Sequence, residues 1–183
     1  MKKFLIGIAT TAILLCLFLI YNHNQLPTEE DVFDITNNWS TQTEEVYLVK
    51  KIDEDWVTVF RSEHFIFVGQ LEQNRLGYWK FKEEGGGSSL ASTYYPPEQD
   101  VDLTWAASAI DEEMSQYFGQ IINPNIQEIK VKTEKDTFNN ALIIDTNGKR
   151  FFYKKSDAPM ELPINIRGNS ESEDVIYSTL IEE

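Results

Sequence analysis

"WVTVFRSEHFIFVGQ", residues 56–70, decides the fold. In its first half Trp56, Thr58 and Phe60 alternate with Val57, Val59 and Arg61. A two-residue repeat of β-branched and aromatic side chains is the periodicity of a strand. From His64 onward the residues are again β-branched or aromatic, so the stretch reads as two strands. Upstream, "EVYLVKKI" (45–52) is a third β-rich run, joined to it by the turn "DEDW" (53–56). Downstream, "NRLG" (74–77) turns the chain and "YWKFKEE" (78–84) runs back. Four consecutive antiparallel strands, a meander, are the expectation.

A meander with apolar side chains needs a cover on one face, and "TEEDVFDITNNW" (28–39) offers one. Thr28 is a suitable N-cap, and Glu29, Glu30 and Asp31 fall in the first turn, where the helix dipole favours negative charge. Asp31 stands three residues after Thr28, a variant of the capping box. Val32, Ile35 and Trp39 keep helical spacing and form the candidate buried face.

After the meander, "GGGSSLASTYYPPEQD" (85–100) reads as a flexible loop or inter-domain linker. Seven short runs come next: "VDLTWAASAI", "QYFGQII", "IQEIKVKT", "ALIIDT", "RFFYKK", "PINIRG" and "VIYSTL". Asn147-Gly148 between two of them is a type I′ hairpin signal. "DEEMSQYF" (111–118) has a helical turn as its alternative, with Asp111 as the cap. Short strands at this spacing suggest a small antiparallel sandwich. The predicted organisation is anchor and linker over 1–25, helix plus four-stranded meander over 26–84, linker over 85–100, and a β-sandwich-like domain over 101–183. The fold class is mainly β, with an α+β N-terminal part and an N-terminal transmembrane helix.

The anchor is read from "MKKFLIGIATTAILLCLFLIYNHNQ". Residues 4–21, with Phe4 at one end and Tyr21 at the other, carry no charge. As a helix they span about 27 Å, close to the roughly 30 Å hydrocarbon core of a bilayer. A cleaved signal peptide, leaving a secreted protein, is one alternative. The apolar run is long for that and lacks a pair of small residues before a cut. A lipoprotein is another, but Cys16 comes after Ile13-Leu14-Leu15 rather than small residues. The retained signal-anchor fits best. Lys2 and Lys3 precede the span and no Lys or Arg occurs after it until Lys50, which places the N-terminus in the cytoplasm and the rest outside. "NHNQLP" (22–27) then reads as a short polar linker.

Beyond Tyr21 the chain holds thirty acidic and fourteen basic side chains, a formal charge of −16. That argues against nucleic acid or anionic headgroups as partners held by simple electrostatics. Cys16 is the only cysteine, so the exported part has no disulfide framework. Such a domain is ordinary on the outer face of a Gram-positive membrane.

Candidate chemistry is sparse. The histidines are His23, beside the span, and His64. A cell-envelope hydrolase would need Ser88 or Ser89 beside a base such as His64, or paired carboxylates such as Asp100 and Asp102. "DTNG" (145–148) resembles a fragment of a calcium loop but lacks its closing glutamate, and the hairpin reading is preferred. No cofactor, metal or catalytic residue is assigned. The candidate ligand surface is aromatic: Tyr78, Trp79 and Phe81 with Tyr94 and Tyr95, where "YWKF" meets the glycine-rich stretch.

"EEVYLVKKIDEDWVTVF", "NRLGYWKF", "FGQIINPNIQEIKV", "IDTNGKRFFY" and "INIRGNSESEDVIY" together carry a resemblance. The chain resembles an uncharacterised family of small membrane-anchored or secreted proteins of Bacillus-type Gram-positive bacteria. The resemblance implies an extracytoplasmic address and this architecture, and brings no enzyme activity or ligand. The expected function is therefore a non-catalytic binding or interaction module, a sensor or accessory subunit, held by the membrane and facing an envelope protein partner.

Overall fold

The structure is a computed structural model and describes residues 2–84, 87–110, 112–134, 137–160 and 162–180. Its first sheet is the expected meander: β1 (Glu45–Ile52), β2 (Asp55–Arg61), β3 (Phe65–Gln73) and β4 (Trp79–Phe81), in that order and antiparallel. Trp56 and Phe60 serve one face while Val57 and Val59 serve the other. A bulge in β1 between Val46 and Leu48 puts Tyr47 and Leu48 on the second of these faces and leaves Val46 on the first.

The run 78–84 does not continue as one strand. β4 ends at Phe81, and β5 (Glu83–Glu84) pairs instead with β6 (Gly87–Ser88) as a separate ribbon. Part of the stretch expected to be a linker over 85–100 is sheet. Gly85 and Gly86 lie outside the described residues, but β7 (Ala91–Tyr94) pairs with β3 beside the end of β4. Its burial alternates, with Ala91 and Thr93 inside and Ser92 and Tyr94 outside. Small residues at the inward positions let this strand of the first sheet approach the strands Ala106–Ala109 and Ser115–Ile121 of the second half closely.

The capping box forms as the sequence suggests. α2 (Glu29–Thr36) is capped by Thr28, whose hydroxyl accepts from the Asp31 amide at 3.3 Å while the Asp31 carboxylate accepts from the Thr28 amide at 2.8 Å. The helix lies on the Phe60 face of the first sheet through Val32 and Ile35. Trp39, just beyond the helix, packs its ring 5.9 Å from Phe60, 5.7 Å from Phe67 and 5.6 Å from Phe81.

The second half contains β8 (Ala106–Ala109), β9 (Ser115–Ile121), β10 (Glu128–Glu134), β11 (Thr137–Asn140), β12 (Leu142–Thr146), β13 (Lys149–Ser156), β14 (Ile166–Asn169) and β15 (Val175–Ser178). The helical alternative for 111–118 gives way to β9, and Asp111 lies outside the described residues. β11 is a strand with no counterpart in the sequence reading. "TFNN" is mostly polar, and an edge strand paired on one side only needs no apolar face. Asn147 and Gly148 take φ of 48° and 72°, both positive, as a type I′ turn requires.

A second sheet, β12-β13-β9-β8, and a third, β11-β10-β14-β15, complete the sandwich. The second sheet lies in the middle. Phe118, Ile144, Phe151 and Tyr153 pack against Val57, Val59, Ile66 and Val68 of the first sheet. Tyr117, Ile121 and Phe152 pack on the other side against Ile129, Val131 and Ile166 of the third. All seven residues of β9 are buried for this reason. The β parts on either side of the glycine-rich stretch therefore share a core.

Phe151→Ala should lower the unfolding free energy by about 3–5 kcal/mol, the usual cost of emptying a buried phenylalanine site. Denaturant titration of the full chain in micelles, tracked by tryptophan fluorescence and far-UV circular dichroism, should show one transition moved as a unit. Two separated transitions would contradict the shared core.

Candidate functional site at the membrane junction

α1 (Lys2–His23) is long and apolar enough to cross a membrane, and none of its side chains is buried within the protein. The helix runs through Asn22 and His23, and the segment beyond it is fastened to the first sheet. The Asn22 side-chain amide donates to the Leu76 carbonyl at 3.0 Å. Gln73 Nε2 donates to the carbonyls of Asn22 at 3.1 Å and Gln25 at 3.3 Å. The Phe18 and Tyr78 rings meet edge to face at 6.4 Å. Pro27 is buried. Of the stretch read as a polar linker over 22–27, Asn22 and His23 belong to α1 and 24–27 lie beyond it.

The partner of the helix is the β3–β4 turn, and local chemistry makes that turn stiff. Asn74 Oδ1 accepts from the amides of Leu76 at 2.8 Å and Tyr78 at 3.1 Å, and the Gly77 amide donates to the Asn74 carbonyl at 2.9 Å. Gly77 has φ of +82°, and a Cβ there would stand 2.6 Å from the Asn22 Cβ. Glycine is required twice over, by the backbone conformation and by the approach of α1.

The five aromatic candidates fall in different places. Tyr78 is exposed and belongs to this junction. Trp79 is half-buried with its ring 6.2 Å from Trp56, and Phe81 is buried and stacks on Phe60 at 5.6 Å, so both join the core under α2. Tyr94 is exposed on β7, 5.5 Å from Phe65. Tyr95 packs against the core between the first two sheets, with the Arg61 guanidinium 4.9 Å and the Lys149 ammonium 5.5 Å from its ring. Arg61 is itself held by the carboxylates of Glu44 and Glu45.

Among the hydrolase candidates, Ser89, His64 and Asp102 have local partners. Ser89 is buried and bracketed by one backbone residue, its hydroxyl accepting from the Gln70 amide at 3.3 Å and donating to the Gln70 carbonyl at 3.2 Å. The side chain of Ser88 lies outside the described residues. His64 is exposed in the β2–β3 turn, 3.7 Å from the Glu63 carboxylate. Asp102 accepts from Asn123 Nδ2 at 2.7 Å, and Asp100 is an exposed turn residue with φ of 67°. Asp145 of "DTNG" pairs with Arg150 at 3.3 Å across the hairpin. Among the described residues, no three His, Cys, Asp or Glu side chains group as metal ligands.

A polar cluster between the first and second sheets escaped the sequence reading. Gln70 Nε2 donates to the Tyr153 hydroxyl at 3.0 Å, which donates in turn to Gln116 Oε1 at 3.5 Å. Gln116 Nε2 donates to the Ser89 carbonyl at 2.6 Å and to Ser108 Oγ at 3.0 Å. Burial pushes the Tyr153 hydroxyl up to about 12, against the opposing pull of the Gln70 hydrogen bond. Asp55 is clamped by Lys155 at 2.5 Å and Lys82 at 3.6 Å. Burial alone would raise the Asp55 carboxyl, but the Lys155 hydrogen bond and the two cations outweigh it and hold the group below its ordinary range. The clue in sequence is a glutamine at an inward strand position, in "VGQL" and "SQYF".

Gly77→Ala should destabilise the folded chain by about 1 kcal/mol or more, because alanine at positive φ is strained. It should also raise hydrogen exchange over residues 22–27 as the helix is pushed off the turn. For Asp55, a carboxyl depressed in the folded state stabilises above its unfolded value and loses that effect as the pH falls through the folded one. The stability difference between wild type and Asp55→Asn should therefore be greatest at neutral pH and shrink below about pH 4, read from denaturation midpoints across a pH series from neutral into the acid range.

Comparison with family models, with curated proteins and with solved structures finds no match for this chain.

Proposed function

We propose that this is a single-pass membrane protein with a cytoplasmic N-terminus, whose acidic β domain works outside the cytoplasm as a binding or interaction module. It serves as a sensor or accessory subunit that meets an envelope protein. The joint between α1 and the β3–β4 turn carries this reading. A domain that needs only tethering is adequately served by a flexible linker. Here three side-chain hydrogen bonds and an aromatic contact fix the anchor to the sheet. Fixed attachment matters for a protein that presents a defined face to a neighbour in the same membrane.

Orientation is supported by charge. Lys2 and Lys3 lie on one side of the apolar helix and the net acidic remainder on the other, as expected of a positive-inside span. The resemblance to membrane-anchored proteins of Bacillus-type bacteria points the same way, to the outer face of a Gram-positive membrane.

Topology is tested with one engineered thiol. Glu98 is exposed, and Glu98→Cys in a Cys16→Ala background should react with a membrane-impermeant maleimide on intact cells. Labelling only after lysis would reverse the orientation. In-cell cross-linking of the tagged full chain should then capture an envelope protein whose yield drops when Gln73→Ala loosens the joint; capture insensitive to that change would separate binding from the fixed geometry.

A further inference from the structure

We propose that the β3–β4 turn is itself seated in the lipid interface, so that the β domain touches the bilayer through Leu76 and Tyr78 as well as being anchored in it. This rests on the reading that α1 spans the membrane and adds a second, lipid-facing surface to it.

Depth along α1 sets the level of the turn. Phe18 lies three residues inside Tyr21, the end of the apolar run, or about 4.5 Å along the helix axis. Helical side chains lean toward the N-terminus, so the Phe18 ring lies deeper than its own Cα. Tyr78 contacts that ring. A side chain that touches Phe18 from outside the helix is at the level of the outer acyl chains and headgroups.

The chemistry of the surrounding surface fits that position. Leu76 is 50% exposed, Tyr78 53% and Leu26 67%. All three lie in the segments bonded at the junction, and packing within the protein leaves this apolar area open. Tyrosine is the side chain whose apolar ring and polar hydroxyl suit the boundary between hydrocarbon and water. Arg75, exposed at the tip of the same turn, has the reach to place its guanidinium among lipid phosphates while its stem lies along the apolar layer. The net acidic charge of the domain opposes general adsorption to an anionic membrane, so contact is confined to this turn.

Nitroxide labelling of the full chain, reconstituted in phosphatidylcholine–phosphatidylglycerol vesicles, tests the proposal. The native thiol at Cys16 reports the anchor. Leu76→Cys and, separately, Tyr78→Cys, each in a Cys16→Ala background, report the turn. Collision of each label with oxygen and with a water-soluble nickel chelate gives its depth. Expected are a deep label at Cys16 and intermediate values at both turn positions, shielded from the chelate relative to a label in water. A deep Cys16 with water-like labels at 76 and 78 would overturn the interfacial turn and leave the anchor standing. A water-like Cys16 would overturn both.

Discussion

Three consecutive aromatic residues, Phe151, Phe152 and Tyr153, set the architecture. A strand sends neighbours to opposite faces. Phe151 and Tyr153 therefore enter one core while Phe152 enters another. No two-layer arrangement can bury all three, so the second sheet must be covered on both sides. The first sheet supplies one cover and the third sheet the other. The first sheet is then left with an outer apolar face of its own, which α2 and Trp39 close. The third sheet needs no such lid. Opposite its buried Ile129 and Val131, β10 turns Lys130 and Lys132 outward, and the Arg167 guanidinium covers the Phe138 ring at 4.3 Å.

Much of this was legible because it is local. The alternation in residues 56–70 holds side by side in β2, and the Thr28–Asp31 capping box and the Asn147-Gly148 turn depend on residues only one to three positions apart. Trp39 was readable from helical spacing even though the helix stops before it. The illegible parts depend on distant partners. Ala91–Tyr94 sits between glycines and prolines and carries no strong β signal, yet it is held by pairing with β3. β11 was missed because "TFNN" carries no run of alternating apolar residues, and it is held by pairing with β10. Tyr78 and Trp79 are adjacent in sequence and look like one aromatic surface, but alternation sends one to the anchor and the other to the core under α2.

The interior glutamines show the same limit in another form. Gln70 lies two residues after Val68 on an inward-facing row, where an apolar residue is the default. Its Nε2 donates to the hydroxyl of Tyr153, 83 residues away, and the Tyr153 hydroxyl reaches Gln116. Buried polar groups are costly when unpaired and tolerable when they meet suitably placed partners. The cluster thus discriminates among sheet arrangements: sliding one sheet over the other would keep apolar contacts roughly intact but strand these amides. Apolar packing holds the two sheets together, and the hydrogen bonds fix their register.

The stiffness of the junction has a mechanical consequence. Membrane helices tilt by about 20° on average, and they adjust that tilt when bilayer thickness changes. A flexible tether would absorb such motion. With Asn22 and Gln73 joining helix to sheet, a change in helix tilt becomes a rotation of the whole β domain through a similar angle. The further a point on the domain lies from the joint, the larger its displacement, so the anchor acts as the short arm of a lever and the β layers as the long one. With α1 spanning a bilayer, as proposed, bilayer thickness or the packing of a neighbouring helix against α1 would thereby be converted into the position of a surface of the β domain.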